Sequence, residues 1–214
     1  MQAVLFDLDG TLVDTAPDLG YALNLQRAQH GLPFLPDATI RPYASHGSRG
    51  LLEIGFGLLP EHPTFAQMRD EYLAFYTQVM TRQPVLFAGM EEALQAIEAR
   101  GLRWGIVTNK PRRFTQPIVQ AMGLDLRAAA VISGDDAPLP KPSPQTLLMA
   151  CEQMAISPDQ VLYIGDAERD VQAGKAAGMT TLVALFGYLG AEDTPETWGA
   201  TGMIARPQAL LDYL

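Results

Sequence analysis

Five short apolar runs punctuate the chain, each closing on small or polar residues. They are Ala3-Val4-Leu5-Phe6, Trp104-Gly105-Ile106-Val107, Ala130-Val131-Ile132-Ser133, Val161-Leu162-Tyr163-Ile164, and residues 180–185. None alternates polar with apolar, so each suits a strand covered on both faces, as in a parallel sheet. Amphipathic stretches with helical spacing lie between them: 91–100 before the second run, 114–122 after it, and 145–154 before the fourth. The alternation predicts right-handed βαβ units and a doubly wound parallel α/β sheet.

The stretch between the first and second runs breaks this rhythm. Thr64 and Gln67 have the spacing of a capping box, and Phe65, Met68, Tyr72, Phe75, Tyr76 and Val79 recur at helical spacing. A structureless loop of this length is implausible inside a compact domain. Residues 16–82 are therefore predicted to be a helical insert with a small core of its own, its aromatic stripe serving as packing. Residues 1–15 and 83–214 form the remaining domain.

Composition narrows the function. Hydrophobic residues at 48% and charged residues at 18% exclude a disordered chain. Fifteen Lys+Arg against 24 Asp+Glu give net −9, which argues against nucleic acid or an anionic membrane surface as partner. Small phosphorylated substrates remain open, since they need only a local positive pocket. The one cysteine, Cys151, excludes an intramolecular disulfide and a cysteine-built zinc site; its helical-looking surroundings predict a buried, inert thiol. No apolar run approaches the roughly 20 residues that span a bilayer, and the first is too short for a signal peptide. A soluble, cytoplasmic monomer is expected.

In open parallel sheets chemistry gathers beyond the carboxyl ends of the strands. After the first run stands Asp7-Leu8-Asp9-Gly10-Thr11. Residues two apart on a strand point to one side, so Asp7 and Asp9 can share a pocket. Carboxylates that close repel unless a cation or proton separates them. Gly10 permits a sharp turn, and Thr11 can cap the segment beyond it. Asp-x-Asp-Gly also opens a calcium loop, but the twelfth position here is Asp18 rather than Glu, and a strand precedes instead of a helix. After the second run come Thr108-Asn109-Lys110, a hydroxyl and backbone amides suited to a phosphate oxygen, although a Thr at a strand end taken alone is more often a structural cap. Lys141-Pro142-Ser143-Pro144 comes next, with Ser143 as N-cap and Pro144 at the first helical position. Of three lysines in the chain, Lys110 and Lys141 fall beside these loops. After the fourth run Gly165-Asp166-Ala167-Glu168-Arg169-Asp170 sets Asp166 and Asp170 four apart, on one helical face.

With Asp-x-Asp, Thr, Lys and Gly-Asp-x-x-x-Asp in that order, the chain resembles the haloacid dehalogenase superfamily along essentially its whole length. Within it, the chain is similar to the phosphoglycolate phosphatase-like enzymes with a helical cap. The resemblance implies a Rossmann-like core with an α-helical cap domain inserted after the first strand, a Mg²⁺ cofactor, and phosphomonoester hydrolysis through an aspartyl-phosphate. It makes Asp7 the nucleophile and a metal ligand. Asp9 becomes general acid and then base, with its backbone carbonyl on the metal. Thr108 and Asn109 hold the transferring phosphoryl group, and Lys141 neutralises charge between it and Asp7. Asp166 completes the protein ligands, and Asp170 orients a metal-bound water or Lys141. Such chemistry is physically coherent, because a carboxylate attacks phosphorus only where the phosphoryl charge is masked.

Asp9 together with Asp166 argues against dehalogenases, which lack that acid and need no metal. Residues 16–82 contain no lysine, unlike the cap of phosphonoacetaldehyde hydrolases. A phosphomutase of the same superfamily remains an alternative. A non-catalytic phosphate-binding scaffold is a second, though it would have no use for both Asp7 and Asp9. Between two predicted cap helices, Ser45-His46-Gly47-Ser48-Arg49-Gly50 forms the expected substrate loop, where Ser48 and Arg49 would bind an anionic substrate and His46 is a polar loop residue. The tail, with Gly187-Tyr188-Leu189-Gly190 and Trp198-Gly199, is similar to bacterial phosphatases acting on N-acetylmuramic acid 6-phosphate. The expected substrate is a small anionic phosphomonoester, N-acetylmuramic acid 6-phosphate or 2-phosphoglycolate.

Overall fold

The computed structural model describes residues 1–214. Along the chain run β1 (Ala3–Phe6), β2 (Val13–Asp14), α1 (Ala16–Gln29), α2 (Asp37–Ile40), α3 (Gly47–Phe56), α4 (Phe65–Val79), β3 (Val85–Leu86) and α5 (Met90–Ala99). Then come β4 (Arg103–Val107), α6 (Arg112–Ala121), β5 (Ala130–Ile132), α7 (Gln145–Met154), β6 (Val161–Gly165), α8 (Glu168–Ala176), β7 (Thr180–Ala184) and β8 (Gly202–Ile204). Six strands make one parallel sheet in the order β5-β4-β1-β6-β7-β8. The architecture is the Rossmann-like α/β fold.

Two-sided burial explains the unalternating runs. Along β1, Val4 and Phe6 enter one hydrophobic cluster while Ala3 and Leu5 enter another on the opposite face. The first face is covered by α5 and α6 through Leu94, Ile97, Ile118 and Val119. Leu147, Ala150, Cys151 and Met154 of α7, with Ala173 of α8, cover the second. Cys151 is buried there, and burial pushes its thiol up to about 11, which keeps it inert.

Helices α1 to α4 occupy the stretch between β2 and β3, which pair antiparallel with Val13 opposite Leu86. This insert does not keep a core of its own, contrary to the sequence expectation. Leu19, Leu23, Leu51, Tyr72 and Tyr76 belong to the same cluster as Val4 and Phe6. The Tyr76 ring reaches Phe114 of α6, centroid to centroid 5.4 Å, and so carries the apolar packing across. The Tyr76 ring on α4 is one of the side chains that join the two.

Smaller expectations also shift. Thr64 precedes α4 but makes no capping bond; its hydroxyl pairs with His62 Nδ1 at 2.9 Å, so the capping box is not formed. Helix α7 begins one residue later than expected, with Pro144 at its N-cap, and Ser143 Oγ receives only a long 3.4 Å bond from Gln145 N–H. The Thr11 hydroxyl caps nothing and is buried without a partner. Backbone bonds close that turn instead, from Leu12 N–H to the Asp7 carbonyl and Val13 N–H to the Leu8 carbonyl. No helix is long and apolar enough to cross a membrane.

Candidate active site

Asp7 is the first residue past β1, fixed by its N–H bonding the Ile164 carbonyl of the neighbouring β6 at 2.9 Å. Lys141 arrives from the loop after β5 and is almost fully buried. Its Nζ lies 3.0 Å from Asp7 Oδ1 and 2.7 Å from Asp170 Oδ1, and it donates to the Val107 carbonyl at 3.0 Å and to the Tyr163 hydroxyl at 2.8 Å. Four acceptors for three ammonium protons leave this buried charge fully compensated. The Tyr163 hydroxyl, from the middle of β6, also bonds Asp170 Oδ1 at 3.1 Å. Asp170 is thus held between Lys141 and Tyr163 through Oδ1, while its Oδ2 accepts from Ala167 N–H at the start of α8.

Asp166 sits just past β6. Its Oδ2 accepts from Tyr188 N–H at 2.9 Å and from the Ser45 hydroxyl at 2.7 Å. Its Oδ1 is buried with no partner at all. Gly10 stands against this carboxylate: at φ +81 its backbone favours glycine, and a Cβ there would fall 2.1 Å from Asp166 Oδ2. One carboxylate oxygen each of Asp7, Asp166 and Asp170 lie within 4.8 Å of one another.

The electrostatics result from this crowding. Burial, then repulsion from Asp7 and Asp170, pushes Asp166 up to about 7. Burial also raises Asp7, more than the attraction of Lys141 lowers it. For Asp170 burial pushes up, but Lys141, Arg169 and the hydrogen bonds from Lys141 and Tyr163 together outweigh it, so its carboxyl lies below the usual range. The cluster is short of positive charge at Asp166. An orphaned buried oxygen and an all-oxygen donor set fit a hard divalent cation such as Mg²⁺.

Asp9 turns its carboxylate away from this cluster. Lys110 Nζ binds it at 2.7 and 2.9 Å, and the Thr15 hydroxyl donates to the same group. The buried Thr108 hydroxyl accepts from Lys110 N–H at 3.1 Å. The Asn109 side chain clasps the backbone of Lys141, Nδ2 to the carbonyl at 2.9 Å and Oδ1 from the N–H at 2.8 Å. It is thus committed to Lys141, and its own N–H is the group left for a ligand oxygen. Ser48 and Arg49 border the cavity from the first turn of α3 rather than from a loop, the preceding residues 41–46 forming a 3₁₀ turn. The cavity holds about 690 Å³ and joins Asp7, Asp9, Thr108 and Asn109 to these residues.

A model of the haloacid dehalogenase-like hydrolases matches residues 1–178. The chain belongs to the haloacid dehalogenase-like hydrolases. Among its relatives in that family is the N-acetylmuramic acid 6-phosphate phosphatase of Pseudomonas aeruginosa, 41% identical over 214 residues, covering 100% of this chain and 95% of that one. The phosphoglycolate phosphatase of Xanthomonas campestris pv. campestris is likewise 41% identical, over 98% of this chain and 94% of its own. A crystal structure of a predicted phosphoglycolate phosphatase from Haemophilus somnus superposes with TM-score 0.84 at 24% identity, covering 100% and 97%, and so speaks for the fold. Full-length relatives at this identity make the chain a haloacid dehalogenase-like phosphatase.

Sequence reasoning set Lys110 beside the site loops and Ser45 in the substrate loop without a partner for either, and gave no role to Tyr163, Arg169 or Tyr188. Tyr163 is the one polar-tipped side chain inside a fully buried strand, a signal that was present. Lys110 comes directly after Thr108 and Asn109, yet its partner Asp9 is 101 residues away. Arg169, at the acidic start of α8, bonds the Ser45 carbonyl at 2.9 Å. Ser45 and Tyr188 reach Asp166 only through tertiary folding.

Proposed function

We propose that this phosphatase hydrolyses small anionic phosphomonoesters, N-acetylmuramic acid 6-phosphate ahead of 2-phosphoglycolate, by way of a phosphoryl group carried on Asp7. The observation that carries the reading is the buried lysine: Lys141 Nζ stands 3.0 Å from Asp7 Oδ1, beside a carboxylate cluster short of positive charge. The names of the relatives support the substrate class. Asp7 and Asp166, with the Asp9 carbonyl, would hold Mg²⁺. When bound, the ion offsets carboxylate and phosphoryl charge and polarises the phosphoryl oxygens.

The protein groups do the rest. An Asp7 oxygen forms a bond to phosphorus as the bond to the leaving alcohol oxygen breaks. Asp9, as the acid, passes its proton to that departing oxygen. Lys141 compensates the charge between Asp7 and the phosphoryl group, while the Thr108 hydroxyl and the Asn109 N–H hold phosphoryl oxygens. In the second half Asp9, now a carboxylate, takes a proton from water as that water bonds to phosphorus. The Asp7–phosphorus bond breaks, inorganic phosphate leaves, and both aspartates return to their starting forms. The helical insert acts as a cap whose Ser48 and Arg49 meet the leaving group.

The test is phosphate release from a panel of phosphomonoesters, with Mg²⁺ and with EDTA, on the parent and Asp7→Asn. Release that needs Mg²⁺ and falls about a thousandfold or more in the variant is expected. Activity that survives either treatment overturns the mechanism.

A further inference from the structure

We propose that the mouth of the active-site cavity is a second anion subsite, built by Arg69 of α4 and Arg113 of α6. It selects hexose-sized leaving groups that carry a carboxylate or phosphate of their own. The inference rests on the proposed phosphatase reading and names the substrate class of that same site.

Size speaks first. A two-carbon phosphomonoester displaces roughly four waters, about 120 Å³. Binding sites bury most of their ligand, and about 690 Å³ would leave such a molecule largely in water. The walls also carry the half-buried Leu73, set beside the nearly buried Leu19, Tyr72 and Tyr76.

Charge speaks second. The chain carries net −9, yet five cations line this cavity against two carboxylates. Lys110 and Arg169 already serve Asp9 and the Ser45 carbonyl. Arg113 pairs with no carboxylate; its guanidinium rests over the Phe114 ring, 4.6 Å from the centroid, which directs the fork at little cost. Arg69 touches only its exposed neighbour Asp70 at 3.3 Å, a contact water screens. A guanidinium grips a carboxylate or phosphate bidentately, and these two line one cavity from different elements, Arg69 from the helical insert and Arg113 from the sheet domain. An anion held by both bridges the insert to the sheet domain.

The experiment measures kcat/KM for matched pairs. N-acetylmuramic acid 6-phosphate is set against N-acetylglucosamine 6-phosphate, which lacks the carboxylate, and a hexose 1,6-bisphosphate against the hexose 6-phosphate. 2-Phosphoglycolate is the small reference. The parent should prefer the anion-bearing hexose about 10- to 100-fold, as a charged hydrogen-bonded pair allows. That preference should shrink about fivefold or more in Arg69→Gln and in Arg113→Gln, and shrink further in the double variant. Which pair shows it tells carboxylate from phosphate. A parent ratio near one, a ratio unchanged in the double variant, or 2-phosphoglycolate as the best substrate overturns the subsite. Release of phosphate without discrimination fails the subsite alone, whereas no release from any compound fails the phosphatase reading beneath it. Both arginines are exposed, so thermal unfolding of the variants should match the parent.

Discussion

The floor and the mouth of the cavity are built on opposite principles. At the floor, Asp7, Lys141, Asp166 and Asp170 are at most 3% exposed, and Lys141 Nζ is paired with both Asp7 and Asp170. At the mouth, Arg49, Arg69 and Arg113 are exposed and hold no buried ionic partner. In the interior a charge contact of 3 Å is worth far more than in water, and losing one partner strands the other. At the rim water and salt screen the same charges until a ligand excludes them. The floor is therefore tied to the fold, while the mouth can change at little cost in stability. Two relatives that match this chain at 41% identity and bear different substrate names fit that division.

Breaking the floor should produce the largest effect. Lys141→Met keeps the volume but strands Asp7 and Asp170 without their ammonium. We expect a loss of about 3–5 kcal/mol by urea unfolding, with turnover down about a thousandfold or more. A variant as stable as the parent would mean that the carboxyls simply take up protons, and the contrast with the mouth would collapse. Tyr188→Phe probes the join between floor and insert. Its buried hydroxyl accepts from Thr15 and Ala16 N–H at 2.7 and 2.9 Å and donates to Asp14 at 2.8 Å. Its loss should cost about 1–3 kcal/mol. The Tyr188 N–H to Asp166 survives the change, so turnover should suffer less than stability; the reverse order would move Tyr188 into the chemistry.

The third effect is a slope. Burial with repulsion from Asp7 and Asp170 lifts Asp166 from 3.8 to about 7 in the folded chain. Between those values the folded state holds a proton that the unfolded chain has released, so this group's stabilisation is present below about pH 4 and lost as pH rises towards 7. In EDTA the melting temperature should carry this downward contribution from Asp166. With Mg²⁺ added, the cation favours the carboxylate and the stabilisation it brings should grow over the same range. Melting curves with and without Mg²⁺ that stay parallel from pH 5 to 8 would remove Asp166 from the metal site.

Much of this was legible in the sequence where burial imposes a pattern. Two-sided burial writes Ala3 to Phe6 and Val161 to Ile164 as plain apolar runs, and the polar residues just past them mark the site. The pair β2 and β3 was not legible, because two residues each are too few for a period. Nor was the merged core, which depends on how far the Tyr76 ring reaches towards Phe114. Asn109 shows the limit within the site: its position at a strand end was readable, but its clasp on Lys141 depends on a loop 32 residues away.

The smallest effect is expected at Arg49. It stands exposed in the first turn of α3, on the cavity wall, with no ion pair. Arg49→Ala should change stability by no more than about 0.5 kcal/mol, as surface substitutions do. If the residue meets the leaving group, KM for carboxylated phosphomonoesters should rise about three- to tenfold with kcat nearly steady, since uniform binding is what is removed. An aryl phosphate without a carboxylate should feel much less. An equal loss on both substrates, carried by kcat, would place Arg49 on the phosphoryl group itself. The boundary between floor and mouth would then run through α3, and one exposed arginine would belong with the buried lysine.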